Sequence, residues 1–313
     1  MLPDYIAPEK SENKHLFCFG FGYTASYLSQ HLKQFGWQVS GTTTSEEKCV
    51  EMEECGVHSY LFDSTQPLCD ALQCLSDVTH ILISIPPNIR GDLVYDMYEH
   101  DLRRLKNLEW VGYLSSTGIY GNRDGGWVGE DDMVAPTSKR GSERFKAENQ
   151  WLQLFEKYDF PVEIFRLAGI YGPGRSALDS VRMGTARRIE KKGHKFNRIH
   201  IDDIVQTLIA AMNKPHAGAI YNVSDDMPVP SHEVIAYACE LLGMDVPPVI
   251  PYEQVDLAPI VRSFYKENKA IKNDKIKEVL GVELLHADYR DGLRSCLNFE
   301  KELDQLIEEN ATS

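Results

Sequence analysis

Residues 20–25 of the chain read Gly20-Phe21-Gly22-Tyr23-Thr24-Ala25. Glycines at the first and third places and a small residue at the sixth are the spacing with which a backbone turn approaches a diphosphate. Gly20 permits the tight turn, Gly22 lets the backbone come close to phosphate oxygens, and Ala25 lets the following helix lie against the strand before it. The amide groups at the start of that helix then face the negative charge. The chemistry expected of Gly20, Phe21, Gly22, Tyr23, Thr24 and Ala25 is therefore the binding of a dinucleotide, NAD(P), and the competing reading is a turn with a structural role only.

In NAD sites a carboxylate at the end of the second strand holds the adenosine ribose. The corresponding stretch here, Gly41-Thr42-Thr43-Thr44-Ser45, has none. The hydroxyls of Thr43, Thr44 and Ser45 suit a 2′-phosphate better than a bare ribose, but no arginine stands among them, so NADP is only mildly preferred over NAD. Thr44 followed by Glu47 also fits a helix capping box, a reading that competes with a cofactor role for these residues.

The wider composition sets bounds. A formal net charge of -14 over 313 residues disfavours nucleic acid and anionic membranes as general partners. Against that background Arg175, Arg182, Arg187, Arg188, Lys191, Lys192, Lys195 and Arg198 fall between Gly174 and His200 and make the local field positive. Seven cysteines without a CxxC pair or a His-rich segment predict reduced thiols, with no disulfide framework and no metal site. The opening Met1-Leu2-Pro3-Asp4-Tyr5 lacks the basic and apolar stretches of a secretory leader, and no apolar run matches a bilayer, so a cytoplasmic location is expected.

These residues need elements to position them. Short apolar runs at 15–19, 37–42, 58–62, 80–85, 110–115 and 162–166 alternate with helical spacing after Tyr23, from about Ser45, from Asp92 and over 140–158. Alternation of this kind implies parallel strands joined by right-handed crossovers. The fold class expected is α/β, a Rossmann-type doubly wound parallel sheet with a smaller interleaved carboxy-terminal substrate lobe. Residues 1–14 read as a flexible amino terminus and 15–173 as the dinucleotide-binding part, with returns to its sheet at 198–201 and 219–223. Segments 174–196 and 224–313 read as the smaller lobe.

Beyond the glycine turn, a series of segments resembles the extended short-chain dehydrogenase/reductases, the group that contains NAD-dependent nucleotide-sugar epimerases and dehydratases. They are Leu114-Ser115-Ser116-Thr117-Gly118-Ile119-Tyr120-Gly121, Glu130 and Pro136, Arg166-Leu167-Ala168-Gly169-Ile170-Tyr171-Gly172-Pro173-Gly174, His200-Ile201-Asp202-Asp203 and Tyr221-Asn222-Val223. The resemblance spans about 16–293. It implies a serine that polarises the substrate, here Ser116, and a tyrosine with a lysine four residues later that exchange the proton and hold the nicotinamide ribose. Aligned on Pro136 and Glu148, the chain instead carries Arg140 at the tyrosine position and Arg144 at the lysine position. Arg144 keeps the charge that binds ribose hydroxyls. Arg140 stays protonated and cannot exchange a proton.

Tyr120, Tyr171 and His200 are the remaining candidate acids, though a residue so placed is more often packing than catalysis, and Ser116 is equally readable as a strand-end serine. Tyr265 and Lys269 spell the same spacing outside the required context and are set aside. The resemblance further implies that Arg175, Arg182 and His200 face the substrate, with the arginines gripping a sugar-nucleotide diphosphate, against the alternative of a solvated basic face. It also implies a homodimer through the helices at 92–105 and 140–158. Two functions follow. One is an NAD(P)-dependent oxidoreductase, epimerase or dehydratase with a nonstandard proton donor and a small-molecule or nucleotide-sugar substrate. The other is a non-catalytic NAD(P)-binding sensor or partner protein.

Overall fold

A computed structural model of the chain describes residues 7–8, 13–68 and 70–312. Most of the segment 1–14 expected to be flexible, and Cys69, lie outside the described residues; the other six cysteines are free thiols. Seven strands form one parallel sheet: β1 (His15–Phe19), β2 (Gln38–Thr43), β3 (His58–Leu61), β4 (His80–Ile83), β5 (Trp110–Ser116), β7 (Val162–Leu167) and β11 (Ile220–Val223). Their order is β11-β7-β5-β4-β1-β2-β3, with chain reversal beside β1. That reversal point is where a doubly wound sheet opens a crevice at the carboxyl ends of its strands.

The inner strands read as continuous apolar runs because helices cover both faces. On one face α1 (Tyr23–Lys33) and α7 (Ile201–Asn213) bury Leu28, Leu32, Ile204 and Leu208 against β1, β5 and β7. On the other, α4 (Leu93–Leu102) and α5 (Lys139–Tyr158) bury Val94, Tyr98, Trp151 and Leu154 against the same sheet. The expected α/β doubly wound architecture is therefore present. Two short elements had no signal in the periodicity: α3 (Ala71–Cys74) and β6 (Trp127–Val128).

The chain beyond β7 corrects one expectation. The strand at 219–223 does join the main sheet, as β11. The strand at 198–200, β10 (Arg198–His200), does not: it pairs in parallel with β8 (Gly169–Tyr171) in a separate two-stranded sheet. A three-residue apolar strand carries too little pattern to say which sheet it enters.

Two further pairs, β9 (Arg188–Glu190) with β12 (Val249–Pro251) and β6 with β13 (Ala270–Ile271), complete the strands. Helices α6 (Ala177–Arg182), α8 (Ser231–Leu242) and α11 (Tyr289–Thr312) share a further apolar cluster built on Leu178, Val234, Leu293 and Cys296. The shorter helices α2 (Glu46–Glu54), α9 (Pro259–Phe264) and α10 (Asp274–Glu278) link these elements. Among the described residues no helix is long and apolar enough to cross a membrane.

Candidate functional site

The glycine turn leaves β1 at its carboxyl end. Gly20 adopts φ +88°, and a Cβ there would lie 2.9 Å from Ile85 Cγ1 and 3.2 Å from the Ile85 amide nitrogen, so only glycine fits. The turn is braced on both sides. The Gly20 amide donates to Thr42 Oγ1 at 2.8 Å, the Phe21 amide donates to the Thr42 carbonyl at 2.7 Å, and Ser84 Oγ donates to the Gly20 carbonyl at 2.6 Å. The Phe21 ring is buried and packs on Gly41, which leaves only its backbone to a ligand.

Gly22 differs from Gly20. A Cβ on it would meet nothing within 4 Å, so its face is open. It stands at the N-cap of α1, where no side chain caps the helix and no acidic residue occupies the first turn. Open space beside uncapped amides is what a diphosphate requires. Ala25 is fully buried under the helix, as close packing demands, and Thr24 is buried beside it. Tyr23 donates its hydroxyl to the Pro173 carbonyl at 3.0 Å, and the Arg175 guanidinium lies 5.6 Å from the Tyr23 ring centre. The 171–175 segment is thereby held across the mouth of the turn.

At the end of β2 the hydroxyls serve the next helix. Ser45 is the N-cap of α2 and accepts from the Lys48 amide at 3.3 Å, while its own amide donates to Thr43 Oγ1 at 3.3 Å. The capping box expected from Thr44 and Glu47 is not formed: the cap falls one residue later, and Thr44 is exposed.

Ser116, Arg140 and Arg144, which the resemblance assigned to catalysis, lie at the carboxyl end of β5 and the amino end of α5. Ser116 closes β5, is partly exposed, and accepts from the Gly118 amide at 3.1 Å at the start of a 3₁₀ turn, Thr117–Tyr120. Helix α5 begins against that turn, since a Cβ on Gly141 would lie 2.7 Å from the Gly118 carbonyl oxygen. Arg140 is exposed in the first turn of α5 and makes no hydrogen bond or ion pair with the described residues. Arg144, one turn on, donates to the Leu114 carbonyl and to the Tyr113 hydroxyl at 3.3 Å. Its charge is tied to the end of β5.

Burial turns Tyr120 and His200 away from the expected site, and an ion pair draws Arg182 away from it. Tyr120 has 0% exposure; its hydroxyl donates to Asn222 Oδ1 at 2.7 Å and accepts from Arg166 at 2.8 Å. Burial pushes its pKa up. It belongs to a buried network in which Arg166 pairs with Glu148 at 2.9 Å and Glu148 also accepts from Ser115, so it does not reach a substrate. His200 is 1% exposed and caps α7 by accepting from the Asp202 amide at 3.2 Å; burial pushes its pKa down to about 3. Arg182 turns toward α11 and pairs with Glu300 at 2.5 Å. Of the two arginines expected to grip a diphosphate, Arg175 stays beside the turn.

Tyr171 is also interior, pressed against α11 so closely that a Cβ on Gly292 would lie 2.1 Å from its hydroxyl. Tyr265 and Lys269 are buried in the carboxy-terminal region, bonded to Ser231 and to Gly121 and Glu267 respectively. Of the residues assigned to catalysis, Ser116, partly exposed, and Arg140, exposed, remain open to a ligand, while Tyr120, Tyr171 and His200 are buried.

Sequence reasoning missed Thr42, Ser84 and Ile85, which brace the turn. Ser84 and Ile85 follow β4 directly at the carboxyl edge, and that position was the available signal. Two open clefts, of about 680 and 620 Å³, lie elsewhere, at the amino edge of the sheet around Leu108, Tyr158 and Pro161 and around His15, Gln38 and Asp77. They contain none of the candidate site residues.

No family model matches the chain. A conserved protein of unknown function from Silicibacter pomeroyi is 44% identical, with 90% of this chain and 98% of that one covered at a TM-score of 0.82. The UDP-glucuronic acid 4-epimerase of Bacillus cereus, solved with UDP-glucuronic acid and NAD, aligns at a TM-score of 0.75 and 17% identity over 92% of this chain and 99% of its own. This chain belongs to one family with the Silicibacter protein. It shares its fold with the epimerase. Protein YeeZ of Escherichia coli is 26% identical over 251 residues, 75% of this chain and 86% of YeeZ. Ser116 stands at the end of β5, and Arg140 and Arg144 stand at the start of α5.

Proposed function

We propose that the chain binds NAD(P) at the carboxyl edge of its sheet and that any chemistry there proceeds without the tyrosine–lysine proton exchange. One observation carries the first half: a braced Gly20 beside an open Gly22 at an uncapped helix start. The second half rests on Arg140 and Arg144. When bound, the cofactor supplies a hydride donor or acceptor. Ser116 would orient the substrate by hydrogen bonding, Arg144 would offer charge to a ribose hydroxyl, and Arg175 would offer charge to an anionic substrate.

The substrate class we favour is a small molecule carried on a nucleotide diphosphate, held between the turn and the segments 174–196 and 224–313. The support is Arg175 beside Tyr23 and the nucleotide-sugar ligand of the epimerase that shares the fold. A preference for NADP rests only on the missing carboxylate at 41–45, since Ser45 and Thr43 are engaged at the start of α2. A homodimer through α4 and α5 is an expectation with a weak surface: among the described residues Tyr158 is the one exposed large apolar side chain on either helix.

A second reading, a non-catalytic NAD(P)-binding protein, is favoured by the burial of Tyr120, Tyr171 and His200, which leaves no tyrosine or histidine from the candidate set to move a proton. The two readings separate in one experiment. NADH and NADPH fluorescence is titrated with the protein, and the bound cofactor is then offered sugar nucleotides and small carbonyl compounds. Oxidation of the cofactor supports the enzyme; binding without oxidation across the panel supports the sensor. Absence of binding overturns both.

A further inference from the structure

We propose that His200, Asp202 and His286 form a binding site for one divalent cation of the zinc class, at a point where the amino end of α7 meets the segment leading into α11. His286 Nε2 lies 3.2 Å from Asp202 Oδ2, and His200 Nδ1 lies 3.4 Å from the same oxygen. One donor atom from each residue falls within 4.8 Å of the other two. Four donors arranged tetrahedrally at the usual Zn–N and Zn–O lengths stand about 3.3 Å apart; the two separations to Asp202 Oδ2 have that length, and the two histidine nitrogens lie within 4.8 Å of each other. Two histidines and one carboxylate with a fourth place left for water is an established zinc donor set.

The surroundings hold these ligands in place. Asp203, fully buried, accepts from the amides of Leu285 at 2.7 Å and His286 at 3.2 Å and so fixes the backbone that carries the second histidine. The other ring nitrogen of His200 faces Cys296 Sγ at 3.5 Å, a weak outer contact that leaves Nδ1 for the metal. The long 3.2 Å bond that Nδ1 accepts from the Asp202 amide is the contact a cation would replace.

Charge points the same way. Asp202 and Asp203 stand side by side, and among the described residues neither forms an ion pair with a lysine or arginine. A dication supplies what the site lacks. Sequence spacing hid the site because the third ligand arrives 84 positions after Asp202. Its place makes it a clamp: it would join the start of α7, which packs on α1 and the main sheet, to the segment that delivers α11 onto α6 and α8.

The test uses the full chain stripped of metal by chelator and titrated with Co²⁺ and with Zn²⁺. The expected result is one equivalent of Co²⁺ per chain with the visible absorption of a four-coordinate centre, displacement by Zn²⁺, and a higher melting temperature with either metal. His286→Ala should weaken binding by at least about 100-fold, beyond the roughly 10–100-fold that loss of an outer partner costs. Should that variant fail to fold, Asp202→Asn keeps the shape of the side chain and should weaken Co²⁺ binding as strongly. His58→Ala, at an exposed histidine beside Glu53, should change nothing. Absence of a saturable equivalent, or binding that survives His286→Ala or Asp202→Asn, overturns the proposal.

Discussion

Replacing Gly22 by alanine should separate ligand binding from folding. The new Cβ would meet no protein atom within 4 Å, and the backbone at φ -96° and ψ -164° suits any residue. Folding stability should therefore stay within about 0.5 kcal/mol of the parent, or rise by up to about 1 kcal/mol through lost freedom in the unfolded chain. The same methyl group would project into the space proposed for the diphosphate, and NAD(P) affinity should fall at least tenfold, about 1.4 kcal/mol. Gly20→Ala should behave differently. There the positive φ costs about 1–2 kcal/mol, the Cβ would sit 2.9 Å from Ile85 Cγ1, and stability and binding should fall together. Urea denaturation gives the first quantity and NADH fluorescence titration the second. A Gly22→Ala protein that binds as tightly as the parent would refute the assignment of this turn to the diphosphate.

Four further outcomes are expected. Tyr120→Phe should lower stability by about 1–2 kcal/mol, because the Arg166 and Asn222 bonds are lost, yet leave cofactor affinity unchanged, as urea midpoints and fluorescence would show. Glu148→Ala should cost about 3–5 kcal/mol by stranding the buried Arg166 charge, read by thermal and urea unfolding. Arg140→Ala should leave unfolding midpoints within about 0.5 kcal/mol, since that side chain is exposed and makes no ion pair. Burial pushes Glu163 from its ordinary 4.5 up to about 7, so the native state keeps a proton that the unfolded chain has released. That contribution is complete below the unfolded pKa and is lost as pH rises through about 7. The unfolding free energy from urea titrations should therefore fall less between about pH 5 and about pH 8 for Glu163→Gln than for the parent, by up to about 3 kcal/mol.

The parts of this protein that rest on local chemistry were legible before any coordinates. The run from β1 through the glycine turn into α1 is specified by neighbours within a dozen residues, so spacing alone placed it. The helix carrying Arg140 and Arg144 was legible because α5 is long, and the structure starts it at Lys139. Features that depend on distant segments meeting were not legible. Tyr120 and His200 looked like site residues because they end short segments at the expected edge, and only their burial against Arg166, Asn222 and Cys296 shows that they face inward. The pairing of Glu148 with Arg166 joins a helix to a strand, and the approach of His286 to His200 closes a loop of many residues; neither leaves a periodic trace. At 44–45 two adjacent hydroxyl residues made the cap ambiguous by one position, and the structure gives it to Ser45.

The central claim is that a dinucleotide binds here although the usual proton-exchanging pair is gone. Its most direct test is a titration of NADH and of NADPH with the purified chain, followed by absorbance at the reduced-nicotinamide band, with the Arg140→Tyr, Arg144→Lys double variant alongside. Saturable binding by both proteins is the predicted result, with any turnover that depends on proton exchange appearing only in the variant that regains the pair. A chain that binds neither cofactor while fully folded would contradict the account.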